Sequence, residues 1–119
     1  MDILLVEDEC VTRESARISL ERHGYRVVAV DNGEKALEMT KAQRFDVILM
    51  DIKLPGLSGL EVIRLMRNAH DTATSPPAIA FTGFHRNELP ELEGCGFAAH
   101  IGKPFDLDEL IRTIRRISA

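Results

Sequence analysis

The sequence predicts an α/β protein built on a five-stranded parallel sheet, strand order 2-1-3-4-5, with helices covering both faces. Three observations carry that prediction. Five short apolar runs recur along the 119 residues, each bounded by turn residues, as strands buried in a parallel sheet are. Segments with helical apolar spacing alternate with them, and right-handed crossovers with short links turn such an alternation into a doubly wound sheet. Several runs end abruptly in a carboxylate or hydroxyl, which places polar groups at the carboxyl ends of strands, where open α/β sheets bind ligands.

In order, Ile3-Leu4-Leu5-Val6 is the first run, and it stops at Glu7-Asp8-Glu9. Residues 10 to 22 are expected to be helical, with a moderate apolar stripe of Val11, Ala16, Ile18 and Leu20 and a glycine stop at His23-Gly24. Tyr25 to Val30 is rich in β-branched residues but more polar, the character of an edge strand. Asp31-Asn32-Gly33 makes a turn before a short helix over 34 to 43 that turns Ala36 and Leu37 inward. Phe45 opens the central strand, in which Val47, Ile48, Leu49 and Met50 run straight into Asp51. Leu54-Pro55-Gly56 breaks the backbone, and Ser58 with Glu61 has capping-box spacing, so a helix begins there and buries Leu60, Ile63 and Met66. After a polar loop ending at Pro77, Ala78 to Phe81 is a fourth run, ending in Thr82-Gly83. A short helix near residues 88 to 95 follows, with Pro90 confined to its first turn. Phe97 to Ile101 is the fifth strand and leads into Gly102-Lys103-Pro104. Asp106 and Glu109 form a second capping box, opening a final helix with the cleanest stripe: Leu107, Leu110, Ile111, Ile114 and Ile117.

Composition narrows the function. With 45% hydrophobic and 29% charged residues, residues 1–119 read as one domain, and a chain of this size buries roughly two thirds of its unfolded surface. The longest purely aliphatic runs are about four residues, against the ~20 needed to span a bilayer, and no basic-then-apolar leader opens the chain. A cytoplasmic location without membrane contact is therefore expected. A net charge of −4 and a pI near 5.5 argue against direct nucleic-acid binding, which needs clustered Lys and Arg. Cys10 and Cys95 make no disulfide framework, and the four histidines lack zinc spacing. Arg112, Arg115 and Arg116 read as a solvated basic turn complementing a helix dipole.

The chemistry lies at the rim. Glu7, Asp8, Asp51 and Thr82 end strands one, three and four, and Lys103 follows strand five within two residues. Three crowded carboxylates repel unless a cation neutralises them. All-oxygen ligation by a few carboxylates, a backbone carbonyl and waters suits Mg²⁺. A metal-bound carboxylate beside an ammonium and a hydroxyl is equipped for phosphoryl transfer, with Asp51 attacking in line while metal, Lys103 and Thr82 carry the charge on the phosphoryl oxygens.

The chain resembles the receiver domains of two-component response regulators over essentially its whole length. The motifs are ILLVEDE at residues 3–9, DVILMDIKLPGLSGLE at 46–61, AFTG at 80–83 and GKPF at 102–105. The resemblance implies a flavodoxin-like (βα)5 three-layer sandwich. It also implies that Asp51 accepts a phosphoryl group from a phosphohistidine on a histidine kinase or histidine phosphotransfer protein. Mg²⁺, or Mn²⁺, would be held by Asp8, Asp51 and the backbone carbonyl of Lys53, with Glu7 acting through water. Thr82 would be the switch hydroxyl, Lys103 the ionic partner of the phosphoryl group, and the Lys103-Pro104 bond cis. His100 stands where the family usually has Tyr or Phe; a switching role is expected, a buried structural histidine being the alternative. Lys53 and Phe84 flank the phosphoryl position, leaving the phosphate lifetime open. The GFAAHIGKPF run is most similar to receivers in or beside hybrid sensor kinases, whereas Gly83 replaces a more usual alanine. The helix around Pro90 belongs to a surface many receivers use for partners or dimerisation, which leaves a homodimer open.

The expected function is thus a phosphoacceptor switch of a two-component phosphorelay, a single-domain or hybrid-kinase-like receiver. It is not a conventional multi-turnover enzyme, and with no further domain read after residue 119 its output passes to an unidentified downstream protein by docking. A pseudo-receiver that docks without phosphorylation is the alternative. An aspartyl-phosphate hydrolase would need a second carboxylate where Lys53 stands, and a flavin carrier would need a phosphate loop where Glu7-Asp8-Glu9 would repel phosphate.

Overall fold

The computed structural model describes residues 1–52, 54, 56–69, 76–82, 97–102 and 105–118, apart from the side chains of Asn68, Ala69 and Thr82. The strands are β1 (Asp2–Val6), β2 (Arg26–Val30), β3 (Val47–Asp51), β4 (Ala78–Thr82) and β5 (Phe97–Gly102). They pair in parallel in the order β2-β1-β3-β4-β5. The helices are α1 (Cys10–Arg22), α2 (Gly33–Ala42), α3 (Gly59–Ala69) and α4 (Leu107–Ser118). The helix expected near residues 88 to 95, and the expected cis bond before Pro104, lie outside the described residues.

Successive residues of a strand point to opposite faces, and this alternation divides the core in two. On one face Ile3, Leu5, Val47, Leu49, Ile79 and Phe81 pack against Ala16 and Leu20 of α1 and Leu110, Ile111 and Ile114 of α4. On the other, Leu4, Val6, Ile48, Met50 and Ala78 pack against Ala36 of α2 and Val62, Ile63 and Met66 of α3. The central strands are buried on both faces, which is why they read as unbroken apolar runs. Edge strand β2 is only half-buried, as its polarity predicts.

The expected α1 stripe is half right. Ala16 and Leu20 are buried, but Val11 is 74% and Ile18 41% exposed. Val11 and Ile18 are seven residues apart and share a face, and at 3.6 residues per turn that face lies opposite Leu20. Phe45 also differs from expectation. It is buried, but it precedes the strand, because Asp46 N–H bonds the Asp2 carbonyl at 2.8 Å and regular pairing with β1 starts only at Val47.

Helix ends follow local chemistry. The α1 stop is as expected: Gly24 N–H bonds the Glu21 carbonyl at 3.0 Å, with φ +88° that only glycine adopts easily. Asn32 is more than a turn residue, since its Oδ1 accepts the Lys35 N–H at 2.9 Å and caps α2. Ser58 Oγ accepts the Glu61 N–H at 3.3 Å, as the capping-box spacing predicts. Asp106 Oδ1 accepts instead from Asp108 N–H at 2.9 Å, one residue earlier than the box requires.

Gly59 starts α3 against the end of β3. Its N–H bonds the Ile52 carbonyl at 2.9 Å, and a Cβ there would overlap the Asp51 carbonyl oxygen and lie 2.9 Å from Ile52 Cα. Gly59→Ala would gain roughly 0.5–1 kcal/mol of helix preference. Overlap with the Asp51–Ile52 backbone outweighs it, at about 3 kcal/mol, the upper end for overpacking, because strand backbone cannot swing aside. The expected result is a net loss of about 2 kcal/mol in urea denaturation; a Gly59→Ala protein as stable as wild type would contradict this packing.

Candidate functional site

Strand register builds the site. Val6 pairs with Met50, so the next residues, Glu7 and Asp51, leave the sheet side by side. Asp51 in turn pairs with Phe81, and Thr82 with Gly102. The carboxyl ends of β1, β3, β4 and β5 therefore form one rim. Glu7 is wholly buried and Asp51 is 4% exposed, whereas Asp8 is exposed. One carboxylate oxygen from each of the three lies within 4.8 Å of the others.

Local bonds hold this acidic corner in place. Glu7 N–H bonds the Val30 carbonyl at 3.1 Å, extending the ladder with β2 by one residue. Glu9 N–H donates to Glu7 Oε2 at 3.3 Å. The Glu9 carboxylate turns away from the cluster and caps α1, accepting from Val11 N–H at 3.2 Å and Thr12 N–H at 2.6 Å. Arg13, in the first turns of α1, reaches back, its Nη1 donating to the carbonyls of Glu7 at 3.1 Å and Asp8 at 3.3 Å. Nearby, a hydrogen bond from the Lys35 ammonium holds Asp31 below the usual carboxylate range, and the Arg13 charge adds to the effect.

The structure thus brings together Glu7, Asp8 and Asp51 as the sequence predicts. It places the Thr82 backbone at the end of β4, next to the strand that ends in Asp51. Lys53 and Lys103 lie outside the described residues. His100, on β5 opposite Ala80, is exposed, unlike the buried histidine of the alternative reading. Sequence reasoning missed Glu9 as a cap and Arg13 as a clamp. Glu9 carried a findable signal, an acidic side chain directly before a helix; Arg13 carried none, since its contacts depend on how the loop turns.

The family model for the response regulator receiver domain matches residues 3–115. The chain belongs to the response regulator receiver domain family. Among similar proteins, the sensor histidine kinase AruS of Pseudomonas aeruginosa is 35% identical over 119 residues, 98% of this chain and 12% of that protein. The transcriptional regulatory protein CrdR of Helicobacter pylori is 36% identical over 115 residues, 96% of this chain and 53% of the regulator. The receiver domain spans about half or less of these curated relatives. Among solved structures, the receiver domain of a Pseudomonas aeruginosa sensor histidine kinase is 36% identical. It matches over 98% of this chain and 96% of its own, with a TM-score of 0.86, and was solved with a magnesium ion coordinated in its active-site cleft. The response regulator TrrA of Thermotoga maritima, in complex with Mg²⁺–BeF, is 29% identical, with a TM-score of 0.86 and coverage of 98% and 97%. The fold expected from sequence, five parallel strands in the order 2-1-3-4-5, is the one these receiver domains share. Among the described residues of this receiver domain no helix is long and apolar enough to cross a membrane.

The three acids fit a small hard cation. Oxygens bound to one ion at ~2.0–2.6 Å lie no more than about 4–5 Å apart, and carboxylates are the ligands such ions take. Two of the three are almost fully withdrawn from water, where uncompensated charge is costly. In chelator, Asp8→Asn removes one of three mutually repelling charges, so its thermal midpoint should rise, by about 4 °C for each 1 kcal/mol of repulsion relieved in a domain of this size. A midpoint below that of wild type, read by circular dichroism, would show that the cluster is not repulsive.

Proposed function

We propose that this receiver domain is the phosphoacceptor switch of a two-component phosphorelay, and that Asp51 receives the phosphoryl group. The observation that carries this reading is the convergence of Glu7, Asp8 and Asp51 carboxylates within 4.8 Å at the rim of a parallel sheet. An Asp51 carboxylate oxygen attacks the phosphorus of a phosphohistidine on a kinase or phosphotransfer protein. The new P–O bond forms as the P–N bond breaks, leaving an acyl phosphate on Asp51 and an imidazole on the donor. When bound, Mg²⁺ or Mn²⁺ supplies charge neutralisation for the acids and the incoming phosphoryl oxygens.

Asp8 and Asp51, with the Lys53 backbone carbonyl, are the proposed direct ligands, and Glu7 is proposed to act through water. Lys103 is the proposed cationic partner of the phosphoryl group. Support comes from the residues on either side of the Lys103-Pro104 pair: Gly102 pairs with Thr82, and the Phe105 ring packs on Phe81 with centroids 5.5 Å apart. Phosphorylation adds about −1.5 to −2 charges. The Thr82 hydroxyl is proposed to answer it, shifting a pre-existing equilibrium that reaches His100 through the β4–β5 pairing. On this reading residues 1–119 form one cytoplasmic switch unit, not a multi-turnover enzyme, and its output is docking to a downstream protein.

Incubation with Mg²⁺ and acetyl phosphate, read by intact mass, should add one phosphoryl group to wild type and none to Asp51→Asn. Labelling of Asp51→Asn to the same extent would overturn the assignment. Mg²⁺ at about 100-fold its dissociation constant should stabilise wild type by about 2.7 kcal/mol. That increment should vanish in Asp8→Asn; an unchanged increment would place the ion elsewhere.

A further inference from the structure

We propose that Arg13 is a positioning residue of this site, fixing the direction in which Glu7 and Asp8 present their carboxylates and thereby setting the affinity for a divalent cation. The inference rests on the metal-binding reading above and deepens it. Arg13 touches neither the proposed ion nor Asp51. It acts through the backbone, with one guanidinium nitrogen, Nη1, donating to two successive carbonyls, Glu7 at 3.1 Å and Asp8 at 3.3 Å.

Those two peptide planes carry the acids, so tying both carbonyls to one rigid donor fixes the loop where β1 gives way to α1. The planar guanidinium suits this role, because it presents several donors in a fixed fork. The clamp is anchored at its own root: Arg13 N–H bonds the Glu9 carbonyl at 2.9 Å, and Glu9 N–H bonds the Glu7 carboxylate at 3.3 Å. Loop, helix start and buried acid therefore form a closed circuit of hydrogen bonds. Groups that orient metal ligands without touching the metal are worth 10–100-fold in affinity when removed.

Charge pulls the other way, since a guanidinium near the cluster repels an incoming cation. Arg13 is only partly buried, and solvent and salt screen such a charge, so this opposing effect is about twofold. Positioning wins, and the net expectation is roughly 10-fold weaker Mg²⁺ binding without the clamp.

Mg²⁺ is titrated calorimetrically into the unphosphorylated protein for wild type, Arg13→Ala, Arg13→Met and Arg13→Lys. Alongside, backbone amide exchange at Glu7 and Glu9 is followed without metal. Arg13→Ala and Arg13→Met should bind Mg²⁺ roughly 10-fold more weakly and exchange both amides faster, with far-UV circular dichroism unchanged. Arg13→Lys, which keeps a donor and the charge, should recover part of each. Equal or tighter Mg²⁺ binding by Arg13→Ala would overturn the proposal and leave Arg13 as a charge alone. Wild type that binds no Mg²⁺ at Asp8 would sink the metal reading instead. The exchange data would still decide the clamp, because unchanged protection in Arg13→Ala refutes it.

Discussion

The constraint on which this receiver domain depends is the register between β1 and β3. With Val6 opposite Met50, Glu7 and Asp51 must emerge abreast, at about the 4.7–4.9 Å spacing of neighbouring strands. Alternation along each strand turns both toward the same face, Glu7 in phase with Ile3 and Leu5, Asp51 in phase with Val47 and Leu49. That is the face covered by α1 and α4. Two carboxylates so placed and so deeply buried cost several kcal/mol each unless compensated. Beside the pair, where β1 gives way to α1, Glu9 N–H donates to the Glu7 carboxylate at 3.3 Å.

The same constraint explains what the surrounding fold has to do. An acid pair held at one separation is useful only if the strands beneath it do not slide. Here β1 and β3 are apolar on both faces, and a one-residue slip would transfer every side chain to the wrong core. At the other end of the problem, Gly59 lets α3 begin against the Asp51 carbonyl with no side chain between them. Rigidity below and close backbone packing beside Asp51 leave its carboxylate as the part of β3 that faces the rim.

Much of this was legible in the sequence because it rests on hydrophobic periodicity. Runs such as Leu49-Met50-Asp51 state both the burial of a strand and the place where it ends; the doubly wound template supplies the strand order, and with it the meeting of Glu7, Asp8 and Asp51 at one rim. What was not legible depends on rotation and on loop paths. Val11 and Ile18 look like core residues in a list of apolar positions, yet they share a face pointing away from the sheet. Glu9 reads as a third member of an acidic triplet until the helix start turns its carboxylate onto the Val11 and Thr12 amides. Arg13 is invisible for a deeper reason: it bonds carbonyl oxygens, which every residue has.

The route by which a change at the rim could leave the molecule is limited by the same packing. β1 and β3 are clamped between two cores and cannot yield without opening both. β5 is different: it is an edge strand, alternate residues from Ala98 to Gly102 are exposed, and its register with β4 breaks between Ala78 and Ile79, where Ala98 is the extra residue. Edge strands with bulges and little buried apolar surface sit at the low-stability end of a fold. Thr82 and Gly102, and two residues earlier Ala80 and His100, are paired across that boundary. On the proposed reading, a displacement at Thr82 is therefore transmitted to an edge strand rather than to the clamped centre of the sheet, and His100 meets solvent on that strand.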